Sequence, residues 1–326
     1  LEICWQTKRE YVMIHSLSDK ILNKTNATVS INEPMKKHTT YGIGGPAELF
    51  VLPSNKEDLI NIVKLAKEHK EEVTIIGSGS NLLISDEGIK GVVVSIKHCL
   101  RAINIDADEI YVECGIMLGK IVKESMKHDL KGLENLIGVP GTLGGALMMN
   151  AGAWGGEISE NLQSLELLDE KNEIKVLSKS DIDFAYRSSS FNKNTILLSA
   201  TFKLKKSPKE IIQDNFDLAK SGRKNTQPLN YRSAGSVFKN PSSKHSAGML
   251  IDQSGLKGLK RGDAQISNKH ANFFVNNGNA TADDMMKLIK EAKQTVKEKF
   301  DIKLDLEVKL LGFNAEEINE LWKIIW

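Results

Sequence analysis

Between residues 49 and 94 the spacing of apolar positions changes twice, and each change predicts a different element. "AELFVLP" is a short continuous apolar run closed by Pro53, which reads as a strand. In "SNKEDLINIVKLAKEHK" the apolar residues Leu59, Ile62, Val63, Leu65 and Ala66 recur at helical spacing. Ser54 with Glu57 three residues on predicts a capping box at its start. "EVTIIG" and "GVVVSI" are β-branched runs suited to buried strands. The order strand, helix, strand, loop, strand predicts a small α/β unit.

A second unit follows. "EIYVECG" predicts a strand and "MLGKIVKESMKHDL" an amphipathic helix; "SLELLDEKNEIKVLS" and "TILLSATFKLKK" predict paired strands. A third unit opens with the polar helix "SPKEIIQDNFDLAKSGRK" and closes with the helix "TADDMMKLIKEAKQTVKEKF" and the strand "KLDLEVKLLGF". The ends read as tails. "LEICWQTKREYVMIHSL" is cut by Lys8, Arg9 and Glu10, so it lacks a signal peptide's apolar core, and Met13 is a candidate start. "NAEEINELWKIIW" is helix-like, with apolar Ile318, Leu321, Trp322 and Ile325. The expected divisions are 1–29, 30–96, 97–206, 207–313 and 314–326.

Composition narrows the function classes. Lys and Arg number 44 against 42 for Asp and Glu, a net charge of +2. That argues against nucleic-acid binding, which calls for a basic excess. No apolar run approaches the length that spans a bilayer. Cys4, Cys99 and Cys114 are scattered with no metal-ligand spacing, which suits a reducing cytoplasm and implies no metal.

The chemistry starts from three glycine clusters: "YGIGGPAEL", "GSGSNLL" and "GVPGTLGGALMMNAGAWGG". Glycine lets backbone N–H groups approach a ligand's phosphate oxygens, so an anionic cofactor is expected. "IIGSGSNLL" begins like a dinucleotide-binding fingerprint but has Leu82 where the third glycine belongs. A protein-kinase reading fails for want of the catalytic-loop and DFG sequences.

These clusters, followed in order by "FAYRSSSF", "QPLNYRSAGSVFKNP", "AGMLIDQSGLKG", "ANFFVNNGNAT" and "LEVKLLGF", closely resemble the motifs of the UDP-N-acetylenolpyruvoylglucosamine reductase (MurB) family, from about residue 37 to 313. The resemblance implies an α/β (α+β) fold of the vanillyl-alcohol-oxidase-like FAD-binding kind, two α/β subdomains and a C-terminal α+β substrate domain. It implies FAD as cofactor, held by Tyr41, Gly77, Ser78, Gly79, Ser80, Asn81, Leu82, Pro140, Gly141, Gly144, Gly145, Asn150, Ala151 and Gly152. NADPH is the implied co-substrate and UDP-N-acetylglucosamine enolpyruvate the substrate, reduced to UDP-N-acetylmuramate for peptidoglycan. Hydride passes from NADPH by way of FAD to C3 of the enolpyruvyl group, and C2 then takes a proton. A monomer in the cytoplasm is expected, with no nucleic acid and no membrane insertion.

Three residues carry the implied chemistry. Ser236, by its own sequence a turn serine, matches the family's proton donor. Arg187 follows the strand-like alternation of "DIDFAY"; it would ordinarily be a surface ion pair, and the resemblance makes it a clamp on the substrate carboxylate. Glu307 falls on the polar side of "KLDLEVKLL" and by parity is solvated. The resemblance instead makes it a carboxylic acid beside the substrate carboxylate. Candidates for substrate binding are Tyr186 at the carboxylate, with Arg223, Lys224, Lys239, Asn240, Gln265 and Lys309 for the diphosphate; Asn272 is a weaker one. Cys114 and Ile116 stand where the family has small residues, and Trp154 replaces a common tyrosine. The alternatives are an oxidase of the same superfamily, in which oxygen takes the electrons, and a non-catalytic FAD- or nucleotide-binding relative.

Overall fold

A computed structural model describes residues 2–323. They fall into two compact units, each discontinuous in sequence. The first comprises the residues up to Glu33, Ala47–Ser78 and Lys90–Ser221; the second comprises Pro34–Pro46, Gly79–Ile89 and the residues from Gly222 onward.

Two larger sheets lie in the first unit, beside short two-stranded ones. One has four strands in the order Thr28–Pro34, Pro46–Leu52, Ile89–Ser95 and Val73–Ile76, the last two parallel. Val92, Val93 and Val94 are fully buried, as their unbroken β-branched run requires. The other is antiparallel, with five strands in the order Ile174–Ser178, Leu162–Leu168, Ile196–Lys203, Glu109–Glu113 and Ile103–Asp106. Its central strand Ile196–Lys203 is buried over most of its length, whereas the edge strand Ile174–Ser178 exposes most of its side chains.

Two expectations are corrected in this unit. The helix Lys56–Glu68 is capped by Asn55, whose side chain accepts from the Asp58 N–H at 2.8 Å. Ser54 stands one residue too early; its hydroxyl donates to the Asn26 carbonyl. The expected amino-terminal tail is the helix Glu2–Lys24. Ile14, Leu17 and Ile21 share one face and are buried in the core. At roughly 1.5–3 kcal/mol for each such side chain, the stripe holds the helix against the unit.

The second unit has its own core, containing Phe238, Phe274, Leu288 and Val308. Ala264–Ile266 is the centre of a three-stranded antiparallel sheet with Lys260–Arg261 and Phe274–Asn276. Lys309–Leu311 pairs in parallel with Leu82–Ile84. The helix Ala282–Phe300 begins with a capping box between Thr281 and Asp284. The Asp86 carboxylate accepts from the Ala282 and Asp283 N–H groups at 2.9 and 3.1 Å, which places negative charge at the positive helix end. The expected strand over 303–313 is regular only at Lys309–Leu311; before it, Leu306 makes an isolated bridge with Phe238. The last helix, Ala315–Lys323, buries Leu321 in the same core. Trp322 lies where side chains are not described, and Ile325 lies outside the described residues.

Among the described residues, no helix is long and apolar enough to cross a membrane.

Candidate active site

In the second unit, the backbone fixes two candidate residues to one another. Gly235, at φ +76°, turns the chain into an extended segment in which Ser236 bridges Phe273. The next residue, Val237, offers its carbonyl to the N–H groups of Glu307 and Val308 at 2.8 and 3.3 Å. Lys239 N–H then donates to the Asp305 carbonyl at 2.8 Å. Ser236 and Glu307 are therefore carried on adjacent, hydrogen-bonded segments. Both are half-buried, so Glu307 is less exposed than strand parity alone expects.

The same segments carry two cations. Lys239 lies three residues beyond Ser236, and Lys309 two beyond Glu307. Burial, then the nearby charge of Lys239, depresses the Lys309 ammonium below its ordinary range. An anionic group would relieve that repulsion. Asn81 reaches this place from the second glycine cluster, donating its side-chain N–H to the Glu307 carbonyl at 3.0 Å, while its carbonyl accepts from Lys309 N–H at 2.9 Å.

The other substrate candidates are placed less suggestively. Asn240 Oδ1 accepts from the Ala247 N–H at the start of the helix Ala247–Gln253. Gln265 donates to the Gly258 carbonyl and accepts from the Asn277 side chain. Burial lowers the Arg223 guanidinium's proton affinity. The Lys224 carbonyl accepts from Lys269 Nζ. Asn272 is corrected: its amide is buried against the backbone of Phe238, accepting from its N–H at 3.0 Å and donating to its carbonyl at 2.8 Å. It is not presented to a diphosphate. Tyr41 is fully buried in the second core, and its carbonyl accepts from the Asn276 side chain.

In the first unit the third glycine cluster and Arg187 are brought together. Tyr186 and Arg187 form the two-residue turn between the strands Phe184–Ala185 and Ser188–Ser189, so Arg187 is not on the strand its alternation suggested. Its backbone has φ +53°, in the left-handed region that L residues avoid. Its Nη2 donates to the Gly152 carbonyl at 2.7 Å, and its guanidinium lies 5.0 Å from the Tyr186 ring centre. Asn150, also at positive φ, donates to Glu157 Oε2 and to the Ala185 carbonyl. Trp154 and Gly155, both at positive φ, turn the short hairpin of Gly152–Ala153 and Gly156–Glu157. Trp154 is exposed at its tip.

The glycine loops of this unit fit a group rich in acceptor oxygens. Gly77 passes so close to Thr142 that a Cβ there would lie 2.3 Å from Oγ1. Among the described residues, the buried hydroxyls of Ser78 and Thr142 and the side-chain oxygen of Asn150 have no hydrogen-bond partner. Buried polar atoms are rarely left so. Unspent hydroxyl donors beside close-approach glycine suit a pyrophosphate. Thr142 was within the quoted motif, but only its unsatisfied burial singles it out. Gly144, whose N–H donates to the Cys114 carbonyl, packs against that side chain, so the bulk of Cys114 is absorbed beneath the loop.

Comparison with known proteins agrees with this geometry. Residues 47–178 match the family described as FAD binding domain, and residues 227–311 match the C-terminal domain of UDP-N-acetylenolpyruvoylglucosamine reductase. The chain is 42% identical over 283 residues to the UDP-N-acetylenolpyruvoylglucosamine reductase of Caldanaerobacter subterraneus subsp. tengcongensis, covering 86% of this chain and 93% of that one. It is 45% identical to the reductase of Listeria welshimeri over 286 residues, 87% of this chain and 96% of that one. The crystal structure of MurB from Thermus caldophilus superposes with a TM-score of 0.74 at 35% identity, covering 88% of this chain and 99% of the other. The fold class is the expected α/β (α+β) FAD-binding one, shared with MurB. The chain belongs to the UDP-N-acetylenolpyruvoylglucosamine reductase (MurB) family.

Proposed function

We propose that this chain is an NADPH-dependent flavoenzyme that reduces UDP-N-acetylglucosamine enolpyruvate to UDP-N-acetylmuramate, the UDP-N-acetylmuramate dehydrogenase reaction of peptidoglycan precursor synthesis. The observation that carries the reading is the locked pair of segments bearing Ser236 and Glu307, with Lys239 and Lys309 on the same two segments. FAD, when bound, would supply the hydride chemistry that links NADPH to C3 of the enolpyruvyl group. Ser78 and Thr142 are assigned to hold its pyrophosphate, because their buried hydroxyls are unspent.

The rest falls to protein side chains. Hydride at C3 leaves an electron pair at C2, which is drawn toward the substrate carboxylate. Ser236 Oγ–H gives its proton to C2, closing the two-electron reduction. A hydroxyl is a weak acid, yet a carbanion is basic enough to take its proton. Glu307 acts at the carboxylate as a hydrogen-bond donor, and Arg187 is assigned to the same carboxylate as a two-pronged clamp. Lys239, Lys309 and Asn240 are assigned to the diphosphate of the UDP group, with Arg223, Lys224 and Gln265 in lesser roles. On this reading the enzyme works as a monomer in the cytoplasm, a reducing compartment that suits the free thiols of Cys99 and Cys114.

The test is flavin absorbance under anaerobic conditions. NADPH bleaches the flavin, and UDP-N-acetylglucosamine enolpyruvate restores its colour. Ser236→Ala leaves bleaching near normal and slows recovery by at least about 100-fold, since only the second step uses the proton. Recovery with air alone overturns the reductase assignment in favour of an oxidase, and equal loss in both steps overturns the assignment of Ser236.

A further inference from the structure

The Ser236 segment is held by more than its neighbours' backbone. Asn272 is 3% exposed, and three hydrogen bonds run from it to two consecutive residues. Its carbonyl accepts from Val237 N–H at 2.9 Å, its Oδ1 from Phe238 N–H at 3.0 Å, and its Nδ2 donates to the Phe238 carbonyl at 2.8 Å. In an ordinary antiparallel ladder a residue exchanges both bonds with a partner's backbone. Here a side-chain amide takes the place of that partner for Phe238. An amide carries an acceptor and a donor at this spacing at every pH; an ionised carboxylate has no donor and a hydroxyl supplies one bond at a time.

The consequence reaches Ser236 through two links. Val237, pinned by the Asn272 carbonyl, is the residue whose own carbonyl receives Glu307 and Val308. Phe238, pinned by the Asn272 amide, bridges Leu306. Ser236 itself bridges Phe273, the residue after Asn272. The 236–238 segment therefore lies between Asn272 and the segment carrying the acid, and Asn272 braces it against that segment. Gly235, at positive φ, has nothing within 4 Å of where a Cβ would be, so no side chain packs the segment at its start.

We propose that Asn272 is a positioning residue for proton transfer from Ser236: its amide fixes the 236–238 segment against Glu307 so that the serine hydroxyl is held in register with the substrate carbon. This rests on the reductase reading. The sequence alone offered Asn272 only as a weak diphosphate contact, a role that its burial removes.

The test is Asn272→Asp, a change of one group with little change of shape. An ionised carboxylate sets an oxygen against the Phe238 carbonyl and loses one bond; a protonated one restores the donor. Burial raises an aspartate's pKa, so the defect is reversible with acid. In the FAD-loaded protein, flavin reduction by NADPH stays within about twofold of wild type, and flavin reoxidation by UDP-N-acetylglucosamine enolpyruvate falls about 10- to 100-fold at pH 8. The ratio of the variant's reoxidation rate to that of wild type then climbs back as pH is lowered. Amide hydrogen exchange quickens at 236–239 and 305–308 at pH 8. If Asn272→Asp does not fold, Asn272→Ser carries the test, with one bond kept, no charge, and a loss confined to reoxidation. Equal loss in both half-reactions, or an unchanged reoxidation rate beside a working wild type, overturns the proposal. A wild-type protein whose flavin the substrate does not reoxidise overturns the reductase reading itself, and this inference with it.

Discussion

The backbone N–H of Glu307 donates to the carbonyl of Val237 at 2.8 Å, so two residues 71 positions apart in sequence, Ser236 and Glu307, are carried on neighbouring segments joined through main-chain atoms. A geometry set this way does not depend on the rotamers of the reactive side chains. Substitutions at Ser236 or Glu307 therefore remove chemistry while leaving the scaffold in place. Changes beneath them act in other ways.

Arg187 separates fold from function most cleanly. Its φ of +53° costs an L residue about 1–2 kcal/mol, which glycine does not incur. The bond from its guanidinium to the Gly152 carbonyl returns about 1 kcal/mol. The two act in opposite directions, so Arg187→Gly still folds, with a modest change in melting temperature. Flavin reoxidation by substrate falls at least about 100-fold, because the clamp is gone. Thermal melting and stopped-flow absorbance check both halves. A large drop in melting temperature with normal turnover would make Arg187 a structural turn residue.

Gly77 and Thr142 give a prediction about the cofactor. In Gly77→Ala the new methyl would sit 2.3 Å from Thr142 Oγ1, so the loop must shift and the protein is purified with little flavin. Adding Thr142→Ala relieves that contact and restores the melting temperature. It does not restore flavin, since the unspent hydroxyl is gone. Thr142→Ala alone keeps the fold and weakens FAD about 10-fold. Titration of the apoprotein followed by flavin fluorescence measures each. Full FAD affinity in Thr142→Ala would remove that hydroxyl from the cofactor's cradle.

Lys293 predicts a pH dependence of stability. It is 4% exposed, and its ammonium donates to the Leu304 carbonyl at 2.7 Å. Burial holds its pKa below the ordinary lysine value of 10.5, and Asp305 offsets this only in part. The unfolded chain therefore binds the proton more tightly than the folded one. The cost is complete below the folded pKa and shrinks as pH rises from there toward 10.5, so this residue makes the protein more stable with rising pH. Lys293→Met lacks that contribution. Urea unfolding at pH 7 and pH 10 should show wild type gaining on the variant as pH rises. A constant difference would mean that Lys293 is not desolvated.

The strands and helices that place these groups were legible because their periods are long and clean: Leu59 to Ala66 at helical spacing, Val92 to Val94 without interruption. Errors arose where a neighbour could serve equally well. Ser54 and Asn55 both cap helices, and only the chain's path decides that Asn55 does so. Ile14, Leu17 and Ile21 show helical spacing too, but the charges before them hid it. Glu307 was ambiguous for a sounder reason. Strand parity assumes a regular ladder, and the ladder begins only at Lys309. Nothing local marks Asn272 as different from Asn277 or Asn279; its partners lie 34 residues away.

The second unit is assembled from three stretches of chain, and its pair of parallel strands joins Leu82–Ile84 to Lys309–Leu311. On the ribosome the early strand emerges more than 200 residues before its partner exists. Until then it presents an unpaired edge, a hazard that chains with local pairings avoid. Synthesis of this protein thus includes a waiting period in which chaperone occupancy of residues 79–89 would protect it. A circular permutant that brings those residues next to 309–311 would shorten the wait without touching a single side chain of the site.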